Sequence, residues 1–443
     1  MTSAPPGVAE RRALWCVVIA VLLLKCALTA FVLPHFERSM SSSYGVDRGD
    51  FYDRLAKNLL NGDGYRFTPD TAPTMLREPG YPLFLAGISR LGGDYSRGLA
   101  RFANFVLTSL SALLVAALAR RIAPQRAIYL LAPLLFMLHP GVVIAELRVG
   151  VEILLTFLLL CFFLLLSRAL ASGTVRDYLL AGAMLGVVSS VRSTALLFPL
   201  GLPLLYLWTR RARADPGAQP RFLTRGTVAL YCGCILILTP WIVRNYQLVG
   251  SLVPTASVQG TALHSGYYMC THAGSTKTTA QLDIEAAAVR SEMARQQGYH
   301  FRAMYYQLFY DPHDELRFNR FLSSWVLAQY AHSPALLVRC AGENAFNFWF
   351  RGKDRAATLA NLGVQLPYLV LGMFGIVLAA GTADLLVLGP LVLFLAYSFA
   401  VYLPILAQAR YSIPLVPVLA IGAAVALSET ARRRALRQAR FLP

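Results

Sequence analysis

The chain of 443 residues is 56% hydrophobic and only 14% charged, with a mean hydropathy of +0.52, whereas soluble domains carry about a quarter charged residues. That balance excludes a water-soluble globular fold and points to an all-α integral membrane protein, whose helices satisfy their own backbone groups in lipid. The net charge of +18 does not indicate nucleic acid: the arginines lie between apolar runs without an aromatic-basic module, as in the Lys- and Arg-rich cytoplasmic loops of multispan proteins.

A span needs roughly 20 mostly apolar residues, and ten stretches are read as spans: 14–33, 101–119, 127–145, 149–167, 177–191, 194–208, 226–243, 364–380, 385–403 and 412–428. The first follows Arg11 and Arg12, and only Pro34, His35 and Phe36 come after it. Without a small-residue cleavage site it reads as a retained span rather than a signal peptide. The two short stretches 177–191 and 194–208 read as a hairpin, with Arg176 before it and Arg210, Arg211 and Arg213 after it. With the amino terminus inside, every strongly basic connection and the tail from Arg432 to Arg440 fall on the cytoplasmic side. Segments 34–100 and 244–363 then lie outside.

This predicts three parts: a transmembrane module over 1–243 with an outer loop at about 34–100, a small extracytoplasmic region over 244–363, and C-terminal helices with a basic tail over 364–443. Within 244–363, stretches 283–297 and 316–330 read as amphipathic helices between the breakers Gly298, Pro312 and Pro334. Cys270 and Cys340 also fall there and can form a disulfide. The other five cysteines sit in apolar runs and read as small buried hydrophobes.

In the outer loop, Phe51 to Leu60 has helical composition and is stopped by Asn61 and Gly62, which puts Asp47 and Asp50 at its amino-terminal edge. A carboxylate there is favoured by the helix end, and one of the two can serve as a cap. Pro79, Gly80 and Pro82 hold a rigid turn around Arg77, Glu78 and Tyr81. Against the charge rule, Arg148, Arg192, Arg244 and Arg410 sit at outer ends of spans. Each alone reads as a snorkelling side chain or an ion pair, as Arg148 with Glu146 or Glu152. No local acid accompanies Arg192, Arg244 or Arg410, so a lipid phosphate gripped by planar guanidinium groups explains the set.

Four stretches in this order, DRGDFYDRLAKNLLNGDGY with REPGYPLFLAG, HPGVVIAELRVGVEILLTFLL, LTPWIVRNYQLVGSLVP and ARYSIPLVPVLAI, resemble bacterial glycosyltransferases of the GT-C fold class. That group includes protein O-mannosyltransferase-like enzymes and the aminoarabinose transferase of lipid A. The resemblance implies a polyprenyl-phosphate-linked sugar donor, an active site on the periplasmic side of the bacterial inner membrane, and an aspartate before the loop helix as general base. Asp47 stands four residues before Phe51 and nine before Ala56, while Asp50 stands six before Ala56, so both are retained. Glu78 falls where the aminoarabinose transferase has a glutamate, and Arg77 matches the arginine opening the proline-rich turn that contains Tyr81. Glu152 matches a glutamate early in the fourth span. Arg192, Arg244 with Asn245, and Arg410 with Tyr411 match basic positions near later span ends.

A lipid phosphate leaves without the second carboxylic acid that a glycosidase needs, so one base and several cations suffice, and inversion is expected. No P-loop or Rossmann glycine pattern provides a nucleotide site. Some relatives hold a divalent metal near the loop carboxylates, but the histidines here are scattered and no metal ligand is assigned. The acceptor is an envelope glycan, a lipid or a protein. The competing readings are a lipid-linked sugar flippase, expected to carry mid-membrane charges and broken helices or repeats, and an outer-face glycan ligase using lipid diphosphate donors.

Overall fold

The computed structural model describes residues 51–203 and 220–439 except 94, 276 and 382, with 12, 15, 16, 19, 20 and 22–27 of the first apolar stretch; for 220–224 and 435–439 it describes the backbone alone. The chain is a multi-pass membrane protein built of helices. Helices α1 (Tyr52–Asn61) and α2 (Gly80–Leu91) form the first loop. Then come α3 (Arg97–Ile122), α4 (Arg126–Met137), α5 (Pro140–Leu147), α6 (Glu152–Ser172), α7 (Val175–Val191) and α8 (Pro220–Val249). An insert over 250–354 carries α9 (Gln259–Thr271), α10 (Thr279–Gln296), the antiparallel strands β1 (Phe301–Ala303) and β2 (Gln307–Phe309), α11 (Pro312–His332) and α12 (Pro334–Phe350). The chain returns through α13 (Arg355–Ala380), α14 (Leu385–Tyr402) and α15 (Val416–Ala439).

Among the described residues six helices are long and apolar enough to cross a membrane, or up to seven if the bent pair α4 and α5 is one span. The stretch 127–145, expected as one span, bends by 49° at this pair. Pro140, at the start of α5, is the cause: it has no N–H to continue the helical ladder. After α7 the chain makes two short 3₁₀ turns, Ser193–Ala195 and Phe198–Gly201, before Leu202 and Pro203 turn helical; the remainder of the return span expected over 194–208 lies outside the described residues.

In lipid, helices associate through close packing rather than through a hydrophobic drive, which selects small residues at contacts. Accordingly α7 and α8 touch backbone to backbone, and a Cβ at Gly182 would overlap the Leu230 carbonyl. Phe162, Phe163, Phe198 and Phe394 fill the bundle core with ring centroids 5.2–6.1 Å apart.

The insert is tied to the first loop by a buried carboxylate. Glu315 of α11 accepts from the Thr74 hydroxyl, from the Met75 amide at 2.9 Å and from the Ser257 hydroxyl at 2.7 Å. Leu55, Tyr65, Phe67 and Leu76 of the loop pack with Tyr306 and Leu308 of the hairpin. Within the insert, the disulfide Cys270–Cys340 joins α9 to α12. The loop and the insert therefore share one apolar core above one end of the bundle.

Candidate active site

A close helix approach positions the first carboxylate. A Cβ at Gly80, where α2 starts, would lie 2.6 Å from the Ser190 hydroxyl and 2.7 Å from the Ser190 carbonyl oxygen on α7, so a side chain is excluded there. That approach delivers buried Glu78 to the turn after α7, where Oε1 accepts from the Ser193 amide at 3.0 Å and the Ser193 hydroxyl at 2.7 Å. Arg77 beside it donates to the Tyr306 hydroxyl, with its guanidinium 4.9 Å from the Tyr306 ring centroid and 5.5 Å from that of Tyr52.

Three further guanidinium groups stand at chain breaks. Arg148 follows α5, in a turn pinned by fully buried Asn104 of α3, which donates to the carbonyls of Glu146 and Arg148 at 3.2 and 2.9 Å. Arg192 follows α7; its Nε donates to the Tyr402 hydroxyl at 3.2 Å and its guanidinium lies 4.6 Å from the Tyr411 ring centroid. Arg410 enters on the 3₁₀ turn Ala409–Leu415, donates to Gln408 at 2.8 Å and lies 3.7 Å from Glu152 Oε1. Glu152 opens α6, where the helix N-terminus favours its negative charge.

The two carboxylates considered for Arg148 are engaged elsewhere as well. Glu146 forms a buried ion pair with Lys25 of the first stretch, and Glu152 faces Arg410. Among the described residues the buried Arg148 Nε has no hydrogen-bond partner. A buried donor left unsatisfied costs about 1–3 kcal/mol, which makes this guanidinium a candidate anion ligand.

These groups line a cavity of about 1120 Å³ between the end of the bundle and the insert. Among the described residues its wall carries seven cationic side chains, Arg77, Arg148, Arg192, Arg295, Arg351, Lys353 and Arg410, against four carboxylates, Glu78, Glu152, Asp283 and Glu343. That excess of positive charge, between low-dielectric walls, focuses field and concentrates anions. Among the described residues no group of three or more His, Cys, Asp or Glu is placed to hold a metal.

Of the residues expected from the sequence, Arg77, Glu78, Arg148, Glu152, Arg192, Arg410 and Tyr411 meet in this wall. Tyr81, Arg244 and Asn245 are not part of it. Tyr81 is fully buried, edge-on to Tyr52 at 5.2 Å. Arg244 donates to the Thr74 carbonyl at 2.8 Å and the Asn245 side chain at 2.9 Å and stacks 4.5 Å from Trp241, so it braces the first loop. Asn245 donates to the Val253 carbonyl at 2.9 Å. Asp47 and Asp50 lie outside the described residues, just before Phe51, which lines the cavity. The sequence did not reveal the hold of Ser193 on Glu78 or the insert's contribution of Asp283, Tyr305 and Tyr306. The sequence does carry a signal for the latter, since Tyr299, Phe301, Tyr305, Tyr306, Phe309 and Tyr310 crowd one short stretch. Burial, then the neighbouring Asp283, pushes the Tyr305 hydroxyl well above its usual range, so it stays a neutral donor.

Residues 73–243 match the family of dolichyl-phosphate-mannose-protein mannosyltransferases. No curated protein matches the chain by sequence. Among solved structures, the oligosaccharyltransferase of Archaeoglobus fulgidus tethered with an acceptor peptide aligns over 96% of this chain and 50% of its own, with a TM-score of 0.56 and 15% identity. AglB from that organism, in complex with an inhibitory peptide and a dolichol-phosphate, aligns over 99% and 53%, with a TM-score of 0.56 and 13% identity. ArnT from Cupriavidus metallidurans bound to undecaprenyl phosphate aligns over 86% and 73%, with a TM-score of 0.35 and 12% identity. The chain spans about half the length of the oligosaccharyltransferase it matches. It has the GT-C fold of membrane glycosyltransferases, and its residues 73–243 carry the sequence features of the dolichyl-phosphate-mannose-protein mannosyltransferase family.

Proposed function

We propose that this protein is a glycosyltransferase that moves a sugar from a polyprenyl-phosphate carrier to an acceptor hydroxyl at the outer face of the bacterial cytoplasmic membrane. The carrying observation is the convergence of Arg77, Arg148, Arg192 and Arg410 with Glu78 and Glu152 in one cavity at the end of a membrane bundle. The disulfide Cys270–Cys340 supports an oxidising, extracytoplasmic side for the insert. A dolichol-phosphate bound to AglB, which has the same fold, supports a lipid phosphate as the anion.

The acceptor oxygen forms a bond to the anomeric carbon while the bond from that carbon to the phosphate oxygen breaks, so the sugar inverts. The acceptor proton goes to a carboxylate, Asp47 or Asp50, and the electron pair of the broken bond stays on the lipid phosphate. General-base help is worth about 10²–10⁴-fold. Arg148, Arg192 and Arg410 stabilise the charge growing on the leaving oxygen without reorganising, the kind of contribution that is usually the largest in such sites. Glu78, held by Ser193, and Glu152, facing Arg410, orient this basic wall.

The test supplies purified protein with synthetic lipid monophosphate and lipid diphosphate sugars and measures release of the lipid. Release of lipid monophosphate, lost in Asp47→Asn or Asp50→Asn, is expected. Turnover of diphosphate donors alone would make the protein a ligase, and no turnover of either would overturn the transferase reading.

A further inference from the structure

The half of the cavity walled by the insert takes no part in the donor chemistry above. Strands β1 and β2 join through Met304, Tyr305 and Tyr306, and this tip folds onto the first loop. The Tyr305 and Tyr306 ring centroids lie 4.7 Å apart, and Phe51 lies 6.2 and 5.8 Å from them. The Tyr305 hydroxyl donates to Asp283 Oδ2 at 2.7 Å. Behind this wall fully buried Arg290 donates to the Ser265 hydroxyl at 2.8 Å, and its Nε and Nη2 have no hydrogen-bond partner among the described residues. Ser265, Asp283, Tyr305, Tyr306 and Phe51 all face the cavity.

Phe51 is also the one non-glycine residue with a positive φ among the described residues, at 64°. Such a conformation costs on the order of 1–3 kcal/mol and persists where the surroundings over-determine it, often at a ligand clamp. Here it holds an aromatic ring against the hairpin tip one residue after Asp50.

We propose that this half of the cavity is the acceptor subsite and that it takes a neutral carbohydrate; the inference rests on the transferase reading of the cavity. A sugar ring presents an apolar C–H face and hydroxyls at fixed spacing. The ring cluster of Phe51, Tyr305 and Tyr306 meets the first, and Asp283 with Ser265 accepts from or donates to the second. Buried Arg290 positions Ser265 rather than touching the ligand. An extended peptide would pair along a strand edge, whereas Ala303 to Tyr306 present the tip of the hairpin to the cavity.

Saturation-transfer NMR on the full chain in detergent, with mannotriose and cellotetraose as probes and Ser- and Thr-containing hexapeptides for comparison, tests this without turnover. Oligosaccharide binding is expected, weakened at least tenfold in Asp283→Asn and Tyr305→Phe and not displaced by the peptides. Parental thermal unfolding of both variants serves as the control for folding; should either unfold early, Phe51→Leu gives the same readout. Peptide binding in place of sugar, or sugar binding unaffected by these variants, overturns the proposal. Sugar binding without any release of lipid phosphate from donor would instead count against the transferase reading alone.

Discussion

Replacing Arg148 by methionine separates catalysis from stability. The substitution removes one positive charge from the cavity wall and keeps a side chain of similar length. At an effective dielectric of ~20 and a separation of ~6 Å, a unit charge pair is worth about 3 kcal/mol, and losing one preorganised donor at a developing oxyanion costs about 10²–10³-fold in kcat. A fall in kcat of at least about 100-fold is therefore expected. The folded state should not suffer, because the buried Arg148 Nε has no partner among the described residues, and removing an unsatisfied donor relieves about 1–3 kcal/mol. Lipid-phosphate release measured beside thermal unfolding gives both numbers on one sample. Parental kcat in Arg148→Met, or a loss of stability with the activity retained, would refute the reasoning that this guanidinium waits for an anion.

Gly80→Ala places a Cβ 2.7 Å from the Ser190 carbonyl oxygen; overpacking of this kind costs about 1–3 kcal/mol, and both the melting temperature and activity should drop as Glu78 is pulled from Ser193. A variant with full activity and parental melting would remove the need for that approach. His264 is buried beside Arg290, and burial, then that charge, lowers its folded pKa to about 3 from 6.5. The unfolded chain therefore binds the extra proton between those values, so stability falls as pH drops below 6.5, by up to about 1.4 kcal/mol per pH unit. Glu315, pushed up by burial, opposes this by holding its proton in the folded state above 4.5, so the comparison to make is His264→Gln against the parent at pH 7 and 4; equal acid losses would remove His264 as the cause. Breaking Cys270–Cys340, which closes a separation of 70 residues, should cost about 4 kcal/mol by loop entropy, read as earlier unfolding of the insert in Cys340→Ser.

Much of this architecture is local and so was legible in the sequence. The runs predicted at 101–119 and 364–380 lie within helices Arg97–Ile122 and Arg355–Ala380, and those at 149–167 and 385–403 overlap Glu152–Ser172 and Leu385–Tyr402 with starts or ends that differ by up to five residues, because a long apolar run in lipid has one way to satisfy its backbone. The bend between α4 and α5 was less visible, since Pro140 lies inside an apolar run whose hydropathy alone reads as straight. The arginines divide for a three-dimensional reason. Arg148, Arg192 and Arg244 all stand near span ends, yet only the first two face the cavity; the Thr74 carbonyl and the Trp241 ring claim the third. No charge pattern distinguishes them. The insert's part is more distant still: Tyr306 meets Arg77 across 229 residues, a contact fixed by packing of the first loop against the hairpin rather than by spacing.

The most direct measurement is a cryo-electron microscopy structure of the full chain with polyprenyl phosphate bound. The phosphate should sit between Arg148, Arg192 and Arg410, within hydrogen-bond reach of the Arg148 guanidinium, with its lipid tail running down the bundle. A phosphate held outside this cavity, or at the opposite end of the helices, would contradict the account.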